Sequence, residues 1–355
     1  MKSLRIAVAG AGAIGRRHVE LVLADRNCSL AAIVDPASNA SEIAGKAGVP
    51  LFSSLADLPA RERPDGVILA TPNNLHLENG LACIGAGVPT LIEKPIADSI
   101  EAGQRLCEAA DRAKVPLLVG HHRQHSPIMA KAIDIVRSGR LGRLVAVVGT
   151  AMFYKPDSYF EDAPWRGQPG GGPILMNLIH EIGNLRALCG EITAVQAFAS
   201  QEARGLAVEG TVAIGLRFAS VALGTFMLSD TAASARSWEQ TSQEDKSYAA
   251  YPDEDCYIVA GTEGSLAIPT LRLKTYADRA GRSWNKPFQT ETIEIERADP
   301  LKRQLENFCA VIRGEADPIV SGRDGLQNLF VIDAIAQAAR GRRDPWRTSA
   351  EHIEL

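Results

Sequence analysis

Arg5-Ile6-Ala7-Val8-Ala9-Gly10-Ala11-Gly12-Ala13-Ile14-Gly15 is the stretch on which the reading of this chain turns. Arg5–Ala9 is a short apolar run that predicts a buried strand. Gly10, Gly12 and Gly15 follow in G-x-G-x-x-G spacing, and a helical pattern opens at His18–Ala24. Each glycine has a task there: a tight turn, a close backbone approach to a pyrophosphate, and close packing of helix on strand. The helix N-terminus adds free N–H groups and the positive end of its dipole. Gly10, Gly12, Ala13 and Ile14 are therefore the expected phosphate-side contacts. Asp35 ends a second strand run 20 residues after Gly15 and is followed by Pro36, not by an arginine. A carboxylate there accepts hydrogen bonds from ribose hydroxyls and repels a 2′-phosphate, which favours NAD over NADP.

Outward from this turn, short apolar runs at 30–34, 67–71, 90–92 and 117–119 alternate with helical spacing such as that of Ser99–Ala113. Strands separated by helices pair in parallel, because the chain needs a crossover to return to the same end of the sheet. Beyond about residue 140 the runs 144–153, 194–200, 208–218, 221–229, 256–260 and 290–295 read as strands, several joined by hairpin-length turns. Helices are expected at 128–137, 173–189, 301–312 and 323–340. The expected fold is an α/β N-terminal Rossmann domain with a parallel doubly wound sheet, plus an α+β C-terminal domain with a large, mostly antiparallel open sheet. Residues 1–122 are assigned to NAD binding, and residues 123–355 to substrate binding and oligomerisation. The long polar segment Asp230–Asp255 reads as a lid, a binding loop or a subunit contact.

The 355 residues are 46% apolar and 23% charged, enough for two full-sized cores. A net charge of -4 provides no field for gripping nucleic acid, and the basic cluster Arg340, Arg342 and Arg343 reads as a solvated helix end. Six cysteines without a C-x-x-C pair predict buried free thiols in a reducing compartment. No apolar run is long enough to span a membrane. The expectation is a cytoplasmic protein without nucleic-acid or membrane partners.

Two further segments make the pattern specific: Ala70-Thr71-Pro72-Asn73-Asn74-Leu75-His76 after the third strand run and Glu93-Lys94-Pro95 after the fourth. With Gly10–Gly15, Gly120-His121-His122-Arg123, the glycines 170–172 leading to His180-Glu181, and Gly261-Thr262-Glu263-Gly264, they resemble the Gfo/Idh/MocA oxidoreductases over nearly the whole chain. The resemblance implies that Thr71, Pro72, Asn73 and His76 line the nicotinamide half of NAD, with Glu93 a cofactor contact. It implies that Lys94, usually placed before a cis-proline, and His180 are catalytic and touch the substrate. His122 and Arg123 match substrate-contact positions, although Arg123 also suits an ion pair at a domain junction.

On the 173–189 helix, Asn177, His180 and Asn184 recur at i, i+3 and i+7, a spacing that presents polar groups to a cleft. Sugar and inositol dehydrogenases of this kind commonly carry an aspartate where this chain has Met176, and the inositol enzyme another where it has Gly183. Either Asn177 takes the substrate-orienting role, or the substrate is less like a cyclic polyol. Tyr154, Lys155, Trp165 and Arg166 precede the glycine run and are candidates for the cleft wall. His121, His122 and His125 lack a cysteine or carboxylate at ligand spacing, so no metal is expected. The expected activity is hydride transfer between NAD and a secondary alcohol carbon of a sugar, cyclitol or polyol-derived acid, in a homodimer or homotetramer. Two rivals are transient redox with no net oxidation, ending in elimination or hydrolysis, and a non-catalytic cofactor-binding regulator.

Overall fold

The computed structural model describes residues 3–58 and 63–341, so Arg342 and Arg343 of the basic cluster lie outside the described residues. The first sheet contains β1 (Leu4–Ala9), β2 (Cys28–Val34), β3 (Leu51–Phe52), β4 (Gly66–Leu69), β5 (Thr90–Glu93) and β6 (Leu117–Gly120). All six are parallel, in the order β3-β2-β1-β4-β5-β6. The crossovers carry α1 (Ala13–Ala24), α2 (Ala40–Ala47), α3 (His76–Gly85) and α4 (Ile100–Ala113). Successive side chains of β1 point to opposite layers, so Ile6 and Val8 join one core while Ala7 and Ala9 join the other. This two-sided burial explains why the strands read as continuous apolar runs.

The second sheet comprises β7 (Leu144–Met152), β8 (Ile192–Ser200), β9 (Thr211–Phe218), β10 (Leu223–Ser229), β11 (Tyr257–Gly261), β12 (Gly264–Ile268), β13 (Arg272–Thr275) and β14 (Gln289–Thr292). Its order is β14-β13-β12-β11-β7-β10-β9-β8, and every pairing is antiparallel except β7 with β10. One face is packed by α5 (Pro127–Arg137), α7 (Ile179–Cys189) and α10 (Gly322–Arg340), which share a core with Val212, Ile214, Leu216 and Phe218 of β9. The short helices α6 (Asp157–Glu161) and α8 (Trp238–Ser242) sit in connections. β3, β12 and β13 are strands that the patterning did not mark, and α1 begins five residues before the expected His18. Burial and pairing, not local alternation, define these pieces.

The end of the chain returns to the first sheet. Leu305, Phe308 and Cys309 of α9 (Pro300–Ile312) enter the core beside α1, while Leu326 and Leu329 of α10 enter the core on the other side. All six cysteines are buried and free, as their spacing predicted. Among the described residues, no helix is long and apolar enough to cross a membrane.

Candidate active site

The glycine turn is held by the fold at two of its three glycines. Gly10 has φ +93°, and a Cβ on it would lie 2.3 Å from the Ala70 carbonyl oxygen; one on Gly15 would lie 1.9 Å from the Gly10 oxygen. Gly12 is different, because a Cβ there would meet nothing within 4 Å. Its bareness fits no internal packing need and suits a ligand lying against the backbone. Gly12 caps α1 without a side-chain hydrogen bond and no acid occupies the first turn, so the helix end keeps its affinity for phosphate. Asp35 accepts from the Ala11 N–H at 2.6 Å and from the Ala37 N–H at 2.8 Å, which ties the glycine turn to the end of β2. These residues fit a dinucleotide.

The Thr71–Asn73 turn is partly exposed at the carboxyl end of β4, next to the glycine turn. His76 is fully buried, its ring nitrogens 2.9 Å from the carbonyl oxygens of Pro95 and Thr71. It fastens two turns together instead of offering a ring edge to a ligand, a correction to its expected place at the nicotinamide. Glu93 is likewise turned inward, 2.7 Å from the buried His18 Nε2 on α1. The Lys94–Pro95 peptide bond is cis.

Lys94 reaches across to the substrate helix, donating from Nζ to the Met176 carbonyl oxygen at 3.0 Å. Met176 belongs to a π-helical turn, Ile174–Leu178, that runs directly into α7. Such turns slacken the regular i→i−4 ladder and recur at functional sites. His180 lies one turn further on, with the rings of His122 and His121 edge-on to it at 5.0 and 5.7 Å between centroids. Burial lowers the Lys94 pKa to about 8; Glu93 opposes the shift, and the charges of Arg123 and Lys155 add to it. Burial, with the Lys94 and Arg123 charges next, holds His180 well below its usual range, so its imidazole is neutral. His122 is kept neutral in the same way, and His121 is lowered to about 3. Lys94, His122 and His180 therefore meet in one electrostatic environment.

Arg123 has two of its three guanidinium nitrogens engaged, while its Nε has no hydrogen-bond partner. Its guanidinium is gripped by Glu181 of α7 and Glu239 of α8, and Tyr257 donates to the same Glu181. Only 3% of Arg123 is exposed, and its ion pairs clamp α7 and α8 together, the junction role that its sequence position also suited. Asn177 accepts from Lys155 Nζ at 2.9 Å. Asn184 turns into the core, donating to the Tyr257 hydroxyl at 3.2 Å, because α7 is buried on nearly all sides. Its polar residues thus serve internal partners as well as the cleft. A Cβ at Gly183 would lie 2.6 Å from Gln124 Nε2, so a side chain there would require the Gln124 amide to shift.

Part of the segment 230–255 lies beside the start of α1. Glu244 accepts from Ser126 Oγ and from Trp238 Nε1, and Trp238 stacks on Tyr257. With Ile14, Arg17, His122 and Arg123 it lines a cavity of about 900 Å³. His18, Glu239 and Glu244 were not legible as site residues. Each is an ordinary helix or loop residue in sequence, and each meets its partner across 75 or more positions.

Comparisons with known proteins agree with this fold. Residues 4–121 match the family model described as "Oxidoreductase family, NAD-binding Rossmann fold", and residues 129–267 match "GFO/IDH/MocA C-terminal domain". The rhizopine catabolism protein MocA of Rhizobium meliloti is 30% identical over 195 residues, spanning 54% of this chain and 59% of that protein. A 1,5-anhydro-D-fructose reductase of Ensifer adhaerens is 28% identical over 299 residues, 81% of each chain. The crystal structure of the WlbA dehydrogenase from Bordetella pertussis, in complex with NADH and UDP-GlcNAcA, superimposes with a TM-score of 0.75 at 26% identity, covering 96% of this chain and 97% of that one.

Proposed function

The chain belongs to the Gfo/Idh/MocA family of NAD-binding oxidoreductases, and we propose that it moves hydride between NAD and a secondary alcohol carbon of a sugar, cyclitol or polyol-derived acid. The observation that carries this reading is the Lys94 amine docked on the Met176 carbonyl, one turn before His180, beside the carboxyl end of the Rossmann sheet. In open α/β sheets that end is where ligands bind.

In this reading Gly10, Gly12, Ala13 and Ile14 hold the pyrophosphate, Asp35 the ribose hydroxyls, and Thr71, Pro72 and Asn73 flank the nicotinamide. Bound NAD supplies the hydride chemistry. Lys94 holds or takes the hydroxyl proton, its pKa of about 8 being matched to that task near neutrality. His180 and His122, both neutral, orient the hydroxyl by hydrogen bonding, and Asn177 positions the rest of the substrate. The buried free thiols suit a reducing compartment such as the cytoplasm. The second sheet's open face, with exposed Val145, Val148, Phe198, Leu223, Met227 and Ile258, supports a homodimer or homotetramer.

The test is an absorbance screen for NADH formation over sugars, inositols and sugar acids, with the reverse reaction on their oxidised forms. At least one alcohol should reduce NAD with turnover. Retained NADH binding with no turnover on any member would sink the reading.

A further inference from the structure

Beside the catalytic pair lies a group of cations that hydride transfer does not require. Lys155 follows β7, Arg166 sits on the 164–167 turn, and Arg204 lies on the β8–β9 connection. The three meet around the aromatic rings of one short segment. Lys155 Nζ lies 4.7 Å and Arg166 Cζ 4.0 Å from the centre of the Tyr159 ring, while Arg204 packs on Tyr154 and Phe160 at 5.1 and 4.6 Å. Arg204 donates to the backbone oxygens of Lys155 and Asp230, pinning two strand ends together. Lys155 then donates to Asn177, next to the residue whose carbonyl holds Lys94.

The charges of this group do not balance. Asp230 is its carboxylate, 3.5 Å from Lys155 Nζ and 3.9 Å from Arg204 Nε. Among the described residues no carboxylate lies within 4 Å of Arg166, whose Nη1 donates only to the Tyr159 carbonyl oxygen. Arg166 Nε, Arg204 Nε and Arg204 Nη1 are buried donors without a hydrogen-bond partner, set against one unpartnered buried acceptor, Asp230 Oδ1. Three cations against one acid, two of them with idle buried donors, is a costly arrangement for a folded chain unless an anion completes it. The substrate helix itself offers no carboxylate to hydroxyl groups at Met176 or at Gly183.

We propose that Lys155 and Arg166, braced by Arg204, form a subsite for an anionic oxygen group of the substrate, a carboxylate or a phosphate, placed across Asn177 from the reacting carbon. This rests on the dehydrogenase reading and narrows its substrate to a sugar or cyclitol derivative that carries such a group. Asp230 orients Lys155 and opposes the loss of charge that burial favours, and the Tyr159 ring spaces the two cations. Both are positioning residues.

The test uses the NADH-loaded protein and matched ligands: D-glucose with D-glucuronate and D-glucose 6-phosphate, D-galactose with D-galacturonate, and myo-inositol with its monophosphate, plus inorganic phosphate alone. Binding is read by thermal shift and by quenching of NADH fluorescence. The acidic member of at least one set should bind about tenfold or more tightly than its neutral partner, as charge-assisted hydrogen bonds would give. Whether uronate or phosphate ester leads identifies the anion. Arg166→Met and Lys155→Met should reduce that preference to near unity while leaving NADH affinity unchanged. Arg166 is partly exposed, so its variant keeps the test decisive if Lys155→Met does not fold. Equal binding of neutral and acidic members in every set, or full preference retained in Arg166→Met, overturns the subsite. Turnover of neutral alcohols alone would overturn it while leaving the dehydrogenase standing. Selective binding of acids without NADH formation from any member would do the reverse.

Discussion

The amine of Lys94 and the main-chain carbonyl of Met176 are 3.0 Å apart, and this contact joins the end of the Rossmann sheet to the helix that carries His180. Lys94 and Met176 are 82 positions apart in the chain. The lysine is held by backbone in place of a side-chain carboxylate, so its proton affinity is set mainly by burial and by the neighbouring charges. The first two predictions follow from that.

Replacing Lys94 with alanine should lower kcat by about 10² to 10⁴, the usual worth of a positioned acid or base. The glycine turn is untouched, so NADH affinity by fluorescence titration should be unchanged. Near-normal turnover in Lys94→Ala would refute the assignment.

The pH profile should report Lys94. Below its pKa of about 8 the amine is charged and cannot accept a proton, so kcat/KM for alcohol oxidation should climb with pH and level off above about 8. Carbonyl reduction needs the charged form and should fall above the same point. His180 is neutral throughout this range and adds no second break. A flat oxidation profile between about pH 7 and 9 would contradict the role.

Gly10 and Gly12 should behave oppositely. Gly10→Ala places a methyl group on the Ala70 carbonyl from a left-handed backbone, and soluble folded protein should be lost. Gly12→Ala meets open space, so Tm should be nearly unchanged while the NADH Kd rises about tenfold or more. Normal cofactor binding in Gly12→Ala would remove the argument that its bare backbone faces the pyrophosphate.

Asp35→Asn keeps an oxygen for the Ala11 N–H but discards the charge. The ratio of kcat/KM with NAD to that with NADP should fall by about tenfold, since one close charge interaction is involved. An unchanged ratio would place cofactor discrimination elsewhere.

Arg123→Met leaves Glu181 and Glu239 without their shared cation in a buried setting. Removing one partner of such a pair costs about 3–5 kcal/mol, seen as a large drop in Tm. A variant with wild-type Tm and a raised substrate KM would favour the substrate-contact reading.

Much of the fold was legible because its signals are local. A glycine turn between strand and helix, apolar runs of strand length and an acid at the end of the second strand each follow from the conformations and burial available to neighbouring residues. The same applies to Lys94 and His180, which stand in short motifs whose resemblance to a family named them. The α7 helix shows where that legibility stops. Its Asn177-His180-Asn184 spacing marks one helical face, yet Asn184 is drawn into the core by Tyr257. Arg123 and His76 look equally available in sequence, but carbonyls and carboxylates brought in by the fold claim them.

By itself the sequence determined the two architectures and the glycine turn that suits NAD, since patterning and turn chemistry act within a few residues, and it named Lys94 and His180 only through their resemblance to a family. The tertiary structure alone decided which polar groups stay free for a ligand. A buried donor or acceptor must find a partner, and its partner is chosen by distance in space: Glu93 by His18, Arg123 by Glu239, Lys94 by a carbonyl on another domain's helix. The same accounting leaves Lys155 and Arg166 with more positive charge than the chain answers, a surplus visible only once three distant connections meet around one ring.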